Sequence, residues 1–443
     1  MAAPDTTPPE HVAIAGAGFS GTMLAVQLVR AGASRVTLIE RSAEAGRGLA
    51  YGAADSMHLL NVRAGSMSAF PAETGHFAKF AEARGWSGGG FVPRLVYGDY
   101  LQAQLEEATA TGRLTVVRGD AVDVSTGDNP AVSLADGRRI AADYVVLALG
   151  NPPPTPLPGI DTDALGPLYV ADPWAPGATE GIDGPVLIIG TGLTMVDIAL
   201  LLEAHDASTP ILAISRRGLL PRPHAEPAAY EARGEPPDQM GAALLRAVRA
   251  RGKSIGWRQA VDELRPFTQG MWRDAPPGER RRFLRHLRPW WDVHRHRLAP
   301  ALHARIEGMV ASGRLKVAAG RILDASATPA GAAVRWRARG GGNVQTFTAA
   351  RIINCTGPEG QLGASSAPLL RRLAESGLAR PGPLGLGLDV DAHARVIGED
   401  GAANPRLYAL GPLTRGAFWE ITAVPDIRVQ VADLAALITG EAA

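Results

Sequence analysis

Three glycines near the start of the chain, Gly16, Gly18 and Gly21, have the spacing of a phosphate-binding turn. They follow the apolar run HVAIAGA and precede a stretch whose apolar residues recur at helical spacing. A dinucleotide pyrophosphate binds backbone N–H groups at a helix N-terminus, where a Cβ would block its approach. Gly16 would permit the tight turn, Gly18 would admit the phosphate, and Gly21 would let helix and strand pack closely. Glu40, 19 residues after Gly21, ends the run RVTLIE, where a carboxylate accepts hydrogen bonds from a ribose and disfavours a 2′-phosphate. The pattern predicts a dinucleotide site.

A second glycine turn follows the apolar run VLII at residues 186–189. Gly190 and Gly192 keep the first two positions of the pattern, but Met195 stands at the third, so helix–strand packing there must differ. Where the first unit has Glu40, this one has Ser215 followed by two arginines. A guanidinium can bind the 2′-phosphate of NADPH, so this site is predicted to prefer NADPH over NADH. Surface charge in an arginine-rich chain is the alternative. The candidate residues of this second site are Gly190, Gly192, Thr194, Arg216 and Arg217.

The elements that must position these turns occur twice in the order strand, turn, helix, strand, which predicts an α/β fold with two Rossmann-like nucleotide-binding domains. The run YVVLAL before Gly150 and the run RLYAL before Gly411 read as buried strands. Strand 351–354, which leads into Cys355-Thr356-Gly357, echoes the one before Gly150. Residues 46–71, after the second strand, read as a long loop, and the chain is expected to return to its first domain. Together with the second nucleotide fold, these features favour FAD over NAD at the first site. The predicted boundaries are 1–175 for the first part of an FAD domain, 180–345 for an NADPH domain with a helical, Arg- and Trp-rich insertion at about 225–310, and 346–443 for the second part of the FAD domain.

Composition excludes several classes of function. With 45 Lys+Arg against 44 Asp+Glu the net charge is +1, too balanced for an obligate nucleic-acid binder. One cysteine, Cys355, rules out an intrachain disulfide, a redox-active cysteine pair and a cysteine-based zinc site, and the sequence shows no other metal motif. The first ten residues lack the apolar core of a signal peptide, and no apolar run reaches the ~18 residues of a membrane span. We expect a cytoplasmic protein that binds neither membrane nor metal.

Several further blocks carry a resemblance to a known family: residues 46–52 (GRGLAYG), 58–62 (HLLNV) with 67–71 (MSAFP), 91–101 (FVPRLVYGDYL) and 411–430 (GPLTRGAFWEITAVPDIRVQ). With the two turns, they cover nearly the whole chain. The sequence resembles the two-dinucleotide-binding flavoproteins of the FAD-NAD(P)-binding family, which are related to class B flavin monooxygenases and to amino-acid N-oxygenating enzymes. Disulfide-reductase relatives often carry Gly-Asp at the carboxyl-terminal strand. Here it is Gly411-Pro412, which favours the monooxygenases.

The resemblance implies a chemistry in which NADPH reduces FAD, O2 adds to the flavin, and a substrate nitrogen takes an oxygen from a C4a-hydroperoxyflavin. A small polar amine or an acidic amino acid is the expected substrate, with sulfur oxygenation less favoured. Asn61 would then lie beside the reactive flavin edge as the catalytic residue, unless it only caps the loop. Two rival functions stay open: an FAD-dependent NAD(P)H oxidoreductase without oxygen insertion, and a non-enzymatic flavin- or nucleotide-sensing protein. A homo-oligomer is also left open.

The remaining candidates fall into two sets. The FAD set is Gly16, Gly18, Phe19, Ser20, Gly21, Glu40, Arg47, Met67, Ser68, Val122, Gly150, Gly411, Thr422 and Ala423. The substrate set, chosen for an anionic group, is His58, Arg288, Arg295, Arg415, Trp419 and Arg428. The structural alternative for the arginines is a solvated or salt-bridged helical face, and the alternative for His58 is a structural hydrogen bond.

Overall fold

A computed structural model describes residues 10–226, 229–357 and 367–440. The described residues fold as two compact units, one formed by residues 10–152 together with 367–440, the other by residues 153–226 and 229–357. Within these ranges, no helix combines the length and apolarity needed to cross a bilayer.

The strands are β1 (His11–Ala15), β2 (Arg35–Glu40), β3 (Leu114–Arg118), β4 (Ala121–Ser125), β5 (Ala131–Leu134), β6 (Arg139–Ala141), β7 (Tyr144–Leu147), β8 (Tyr169–Val170), β9 (Val186–Ile189), β10 (Ile211–Ser215), β11 (Leu315–Thr328), β12 (Gly331–Ala338), β13 (Val344–Ala349), β14 (Arg351–Asn354), β15 (Arg395–Ile397) and β16 (Ala403–Ala409). The α-helices are α1 (Phe19–Arg30), α2 (Gly48–Gly52), α3 (His76–Glu82), α4 (Arg94–Ala110), α5 (Thr162–Leu165), α6 (Leu193–His205), α7 (Gly241–Ile255), α8 (Trp257–Asp262), α9 (Thr268–Asp274), α10 (Pro277–Arg282), α11 (Arg288–Arg295), α12 (Pro300–Ala311), α13 (Pro368–Glu375) and α14 (Val424–Thr439). A π-helical turn, Phe283–Leu287, lies between α10 and α11, and short 3₁₀ turns include Ala64–Ser66 and Gly411–Thr414.

The first unit is built on a six-stranded sheet in the order β15-β16-β7-β1-β2-β3. β1 is a continuous apolar run, and it lies between β2 and β7, both parallel to it, as such a run requires when both its faces are covered. β16 pairs in parallel with β7, so the carboxyl-terminal segment returns to this sheet. Helix α1 packs against α4 and α14. The predicted α/β fold is confirmed.

A smaller antiparallel sheet of β4, β5 and β6 belongs to the same unit, and α13 packs against it. The pairing of β4 with β5 shifts register between Ala121 and Asp123, which makes Val122 the extra residue of a β-bulge. The backbone groups of Val122 therefore stand outside the regular ladder.

The second unit is built on a seven-stranded sheet in the order β13-β12-β11-β10-β9-β14-β8. The five strands from β11 to β8 run in parallel, and β12 and β13 extend the sheet as antiparallel hairpins. Helices α7 to α12 lie between β10 and β11 in sequence, and they include the Arg- and Trp-rich segment.

Several predicted boundaries need correction. The units divide after residue 152 instead of 175, because β8 pairs with β14 and Ile160 forms a bridge with Ala325. β14 was expected in the FAD domain, yet it pairs with β9 in the second sheet. The loop expected over residues 46–71 contains α2 and a 3₁₀ turn.

Candidate functional site

Two of the three glycines in the first turn are required by the protein's own packing. Gly16 has φ +102°, and a Cβ there would lie 2.4 Å from the carbonyl oxygen of Ala148. A Cβ on Gly21 would lie 1.9 Å from the carbonyl oxygen of Gly16. A larger residue at either position therefore forces the backbone to move, in keeping with the predicted tight turn and close helix–strand contact.

Gly18 differs, because no described atom excludes a side chain there. Its φ is −76°, and the nearest atom to a Cβ would be the Cα of Gly48 at 3.7 Å, an ordinary contact. Gly18 is the N-cap of α1, and the first turn of that helix has no acidic side chain and no capping side chain. Its unsatisfied N–H groups form an anion site with no Cβ in front of it. The arrangement fits a pyrophosphate.

The segment around Gly48 closes on this turn. Gly48 has φ +58°, and a Cβ there would lie 2.6 Å from the Cα of Gly18. The N–H of Gly46 donates to the carbonyl of Ala17 at 2.9 Å. Sequence reasoning grouped residues 46–52 by resemblance, and the structure gives the physical reason for Gly48.

Glu40 ends β2 with its carboxylate beside the turn. Oε2 accepts the N–H of Ala17 at 2.9 Å, and Oε1 accepts the N–H of Ser42 at 2.8 Å. Each oxygen retains a second lone pair that can accept from a ribose hydroxyl. The carboxylate is thus held in position before any ligand arrives.

The carboxyl-terminal block contacts the first turn of α1. Gly411 has φ +65°, and a Cβ there would lie 2.5 Å from Ser20 Oγ. Gln430 Oε1 accepts the N–H of Gly411 at 2.8 Å. The side chains of Phe19 and Ser20 are buried, so their contribution to a cofactor would come from the backbone. Thr422 and Ala423 lie just before α14, with Ala423 as its N-cap.

Asn61, Met67 and Ser68 lie on a loop that the rest of the unit holds firmly. The N–H of Leu60 donates to the carbonyl of Val92, and that of Ala64 to the carbonyl of Gly90. Met67 and Ser68 are buried, and Asn61 is half-buried. The Ser68 hydroxyl donates to the carbonyl of Glu73 at 2.6 Å. The Ser68 hydroxyl therefore donates its hydrogen bond within the protein.

Tyr100 joins the same loop to α4. Its hydroxyl accepts the N–H of Ala69 at 3.3 Å and lies 2.8 Å from His76 Nδ1. Burial raises the pKa of Tyr100 to about 12, so the phenol stays neutral.

Three candidates in this unit make structural contacts. His58 is fully buried, and its Nδ1 accepts the N–H of Asp55 at 3.0 Å. Arg428 donates to the carbonyl of Ser68 at 2.9 Å, and Arg47 donates to Asp99 at 2.5 Å. These contacts support the structural reading of His58, while the ligand roles of all three stay predictions.

The second turn repeats the backbone of the first. Gly190 has φ +116°, and a Cβ there would lie 2.3 Å from the carbonyl oxygen of Cys355. Gly192, the N-cap of α6, has φ −87° and ψ −163°, against −76° and −169° at Gly18. Within the described chain, nothing lies within 4 Å of a Cβ built on Gly192. This glycine, too, is unexplained by packing.

Met195 does not disturb the turn. Its side chain is fully buried in the first turns of α6. The departure from the three-glycine pattern therefore leaves the backbone at Gly190 and Gly192 in place, and the altered packing of the helix stays a prediction. Burial raises the pKa of the neighbouring Cys355 thiol well above its usual value, so it is not a nucleophile at neutral pH.

The two arginines after β10 have different surroundings. Ser215 Oγ accepts the N–H of Gly218 and lies 2.9 Å from Thr191 Oγ1, which fixes the loop against the turn. Arg216 is exposed, whereas Arg217 donates to the carbonyl of His286 at 3.3 Å. The sequence analysis predicted the same role for both arginines, and the contact with His286 distinguishes Arg217 from Arg216.

The other substrate candidates are divided between the units. In the second unit Arg288 Nε lies 3.4 Å from Asp292 Oδ2, an ion pair that agrees with the structural alternative. Arg295 is half-buried on the same helix. In the first unit Arg415 is half-buried and Trp419 is buried. Beside Trp419, Glu420 is buried with φ +67°, a strained conformation for a residue with a side chain. Sequence reasoning gave no weight to that strain, because a backbone angle leaves no signal in composition.

Comparison with known proteins bears on the fold. Residues 13–152 match the model of the FAD-NAD(P)-binding family. The L-lysine 6-monooxygenase of Pseudomonas syringae superposes with a TM-score of 0.68 at 16% identity, over 98% of this chain and 100% of that one. The ornithine hydroxylase of Pseudomonas aeruginosa gives 0.66 at 16% identity over 98% and 99% of the two chains. The ornithine N-hydroxylase of Kutzneria sp. 744, in complex with reduced FAD, NADP+ and L-ornithine, gives a TM-score of 0.63 at 16% identity over 98% and 99% of the two chains. No curated protein sequence matches the chain.

The prediction of FAD together with a nicotinamide nucleotide is thereby confirmed at the level of the family model. Residues 13–152 match the FAD-NAD(P)-binding model, and the chain shares its fold with the lysine and ornithine hydroxylases above.

Proposed function

We propose that the chain is an FAD- and NADPH-dependent monooxygenase that hydroxylates the nitrogen of a small polar amine or an amino acid. One observation carries the proposal: two turns of the same backbone geometry, one in each unit, each keep a second glycine that the protein's own packing does not require. The fold shared with ornithine and lysine hydroxylases supports nitrogen as the oxygenated atom.

The first unit would hold FAD. Backbone N–H groups at the start of α1 would bind the pyrophosphate in front of Gly18, and Glu40 would accept from the adjoining ribose. The backbone of Val122, outside its ladder, is free of strand pairing and suited to an adenine edge. FAD, when bound, supplies the redox chemistry, accepting a hydride from NADPH and passing electrons to O2.

The second unit would hold NADPH. Its pyrophosphate would lie before Gly192 at the start of α6, as in the first unit. The neutral Ser215 replaces a ribose-binding acid, so no carboxylate at that position repels a 2′-phosphate. Exposed Arg216 is the guanidinium placed to bind that phosphate through paired N–H donors.

Substrate recognition is proposed from the loop that carries Asn61 and from nearby cations. Asn61, half-buried beside the buried Leu60, would orient the substrate nitrogen. Arg428 binds the Ser68 carbonyl, so we assign it to positioning that loop. For a substrate carboxylate we propose the guanidinium of Arg415, which lies half-buried in the same unit.

The test measures NADPH, O2 and product together. Purified protein, loaded with FAD, is supplied with NADPH and with amino acids or diamines, and products are analysed by mass spectrometry for one added oxygen. A hydroxylamine formed in proportion to the NADPH consumed supports the proposal. NADPH consumption that yields only hydrogen peroxide or a reduced acceptor would identify an oxidoreductase without oxygen insertion, and bound flavin with no NADPH consumption a sensing protein. Gly192→Ala is the matched control, since it should keep the flavin and lose the NADPH reaction.

A further inference from the structure

We propose that Trp290 is the stacking platform for the adenine ring of the nicotinamide nucleotide, an inference that rests on the NADPH site proposed above. Trp290 lies on α11, and 42% of its surface is exposed, among the highest values for a large apolar residue in the described part of the chain. An indole left open to solvent loses the free energy that burial would provide. Such a ring is suited to a ligand with an aromatic face.

The indole is tied to the nucleotide loop through Arg217. The guanidinium carbon of Arg217 lies 5.9 Å from the centroid of the Trp290 ring, at the outer limit of a cation–π contact. Arg217 Nη2 also donates to the carbonyl of His286 at 3.3 Å. That carbonyl belongs to the π-helical turn Phe283–Leu287, a type of turn that is frequent at functional sites. Arg217 thus places the indole beside the loop that follows β10.

This is where an adenosine should lie. In open parallel sheets the nucleotide binds outside the carboxyl ends of the strands, with its ribose near the residue that ends the second strand of the unit. Here that residue is Ser215, and its loop is fixed to the glycine turn by Thr191. Arg216 offers a charge for the 2′-phosphate, and Trp290 offers a face for the base, because aromatic rings stack on any base. The two residues recognise different parts of one ligand.

That division gives the two residues separable signatures. The 2′-phosphate is present in NADP+ and 2′,5′-ADP but absent from NAD+, whereas the adenine is present in all three. Trp290→Ala should therefore weaken all three ligands alike, by about 10-fold, which corresponds to ~1.4 kcal/mol. Arg216→Ala should weaken NADP+ and 2′,5′-ADP while leaving NAD+ nearly unchanged.

The experiment is isothermal titration calorimetry of the full-length, FAD-loaded protein with each ligand. Trp290→Phe should stay within about 3-fold of wild type, since it keeps an aromatic face. Trp86→Ala is the matched control, because Trp86 is 41% exposed and lies in the other unit. Thermal unfolding of each variant verifies that it is folded.

The inference is overturned if Trp290→Ala binds all three ligands within twofold of wild type, or if it weakens only those that carry the 2′-phosphate. It is also overturned, along with the NADPH site, if the wild-type protein binds none of them. A protein that shows the expected Trp290 effect but forms no hydroxylated product would refute the monooxygenase proposal alone.

Discussion

Gly18→Ala and Gly21→Ala form a pair that separates ligand binding from packing. A Cβ at position 21 would lie 1.9 Å from the carbonyl oxygen of Gly16, so helix and turn must move apart by over an ångström. Overpacking of this kind costs about 1–3 kcal/mol, and more when backbone must yield. A Cβ at position 18 meets only the Cα of Gly48 at 3.7 Å, and alanine at an N-cap costs at most about 1 kcal/mol.

Although Gly18→Ala should cost little stability, it should weaken FAD binding strongly. Its new methyl group would occupy the space through which the pyrophosphate reaches the first N–H groups of α1. Losing one hydrogen bond to a charged group weakens binding by about 1.5–3 kcal/mol, or about 10- to 150-fold. Gly18→Ala is therefore expected to lower the melting temperature of the flavin-free protein by only ~2–4 °C, while its affinity for FAD falls by about 10- to 150-fold.

The assay is thermal unfolding of flavin-free protein together with titration of FAD by the quenching of its fluorescence. Gly21→Ala serves as the reference for lost packing. The reasoning is refuted if Gly18→Ala binds FAD as wild type does, or if it destabilises the flavin-free protein as much as Gly21→Ala.

Three further predictions concern other parts of the chain. Arg216→Ala should raise KM for NADPH by about 10- to 150-fold and leave KM for NADH within twofold, and steady-state kinetics that show equal effects would remove Arg216 from the site. Burial, with the charge of Arg35 adding to it, lowers the pKa of His11 below its usual 6.5, so the folded state is penalised when His11 is protonated. Its stability contribution is complete above pH 6.5 and is lost as pH falls through the folded pKa. His11→Gln should flatten the fall in melting temperature between pH 7 and pH 5, and the exposed-site control His393→Gln should not. Cys355, the only thiol of the chain, should react with Ellman's reagent in guanidinium but not in the folded protein, and rapid reaction of native protein would contradict its burial.

Local sequence was sufficient to predict both nucleotide turns. The glycine spacing and the apolar runs beside it act over fewer than 30 residues, and the backbone angles at Gly16 and Gly190 agree with them. Contacts between distant segments were not predictable in this way. Whether Arg216 or Arg217 stays free depends on the carbonyl of His286, nearly 70 residues away, and a segment's own composition does not encode such a partner. The same holds for the approach of Gly48 to Gly18.

The misplaced strand β14 shows how a correct pattern led to a wrong assignment. The sequence after Arg351 echoes the one before Gly150, and the structure explains the echo. In the first unit the N–H of Ala148 donates to the carbonyl of Ala15, and the Ala148 carbonyl oxygen lies where a Cβ on Gly16 would be. In the second unit Cys355 makes the same two contacts with Ile189 and Gly190.

The echo therefore marks equivalent positions in two copies of one fold, and the resemblance between two segments does not tell which sheet each one joins. The same comparison explains why Met195 can replace the third glycine. The second glycine of each turn faces the space where a ligand would bind, whereas the third faces the protein, so the third can change whenever the helix repacks around a larger side chain. The second glycine thus meets a requirement of ligand access and the third a requirement of helix packing. Of these two, only loss of the second glycine should abolish nucleotide binding.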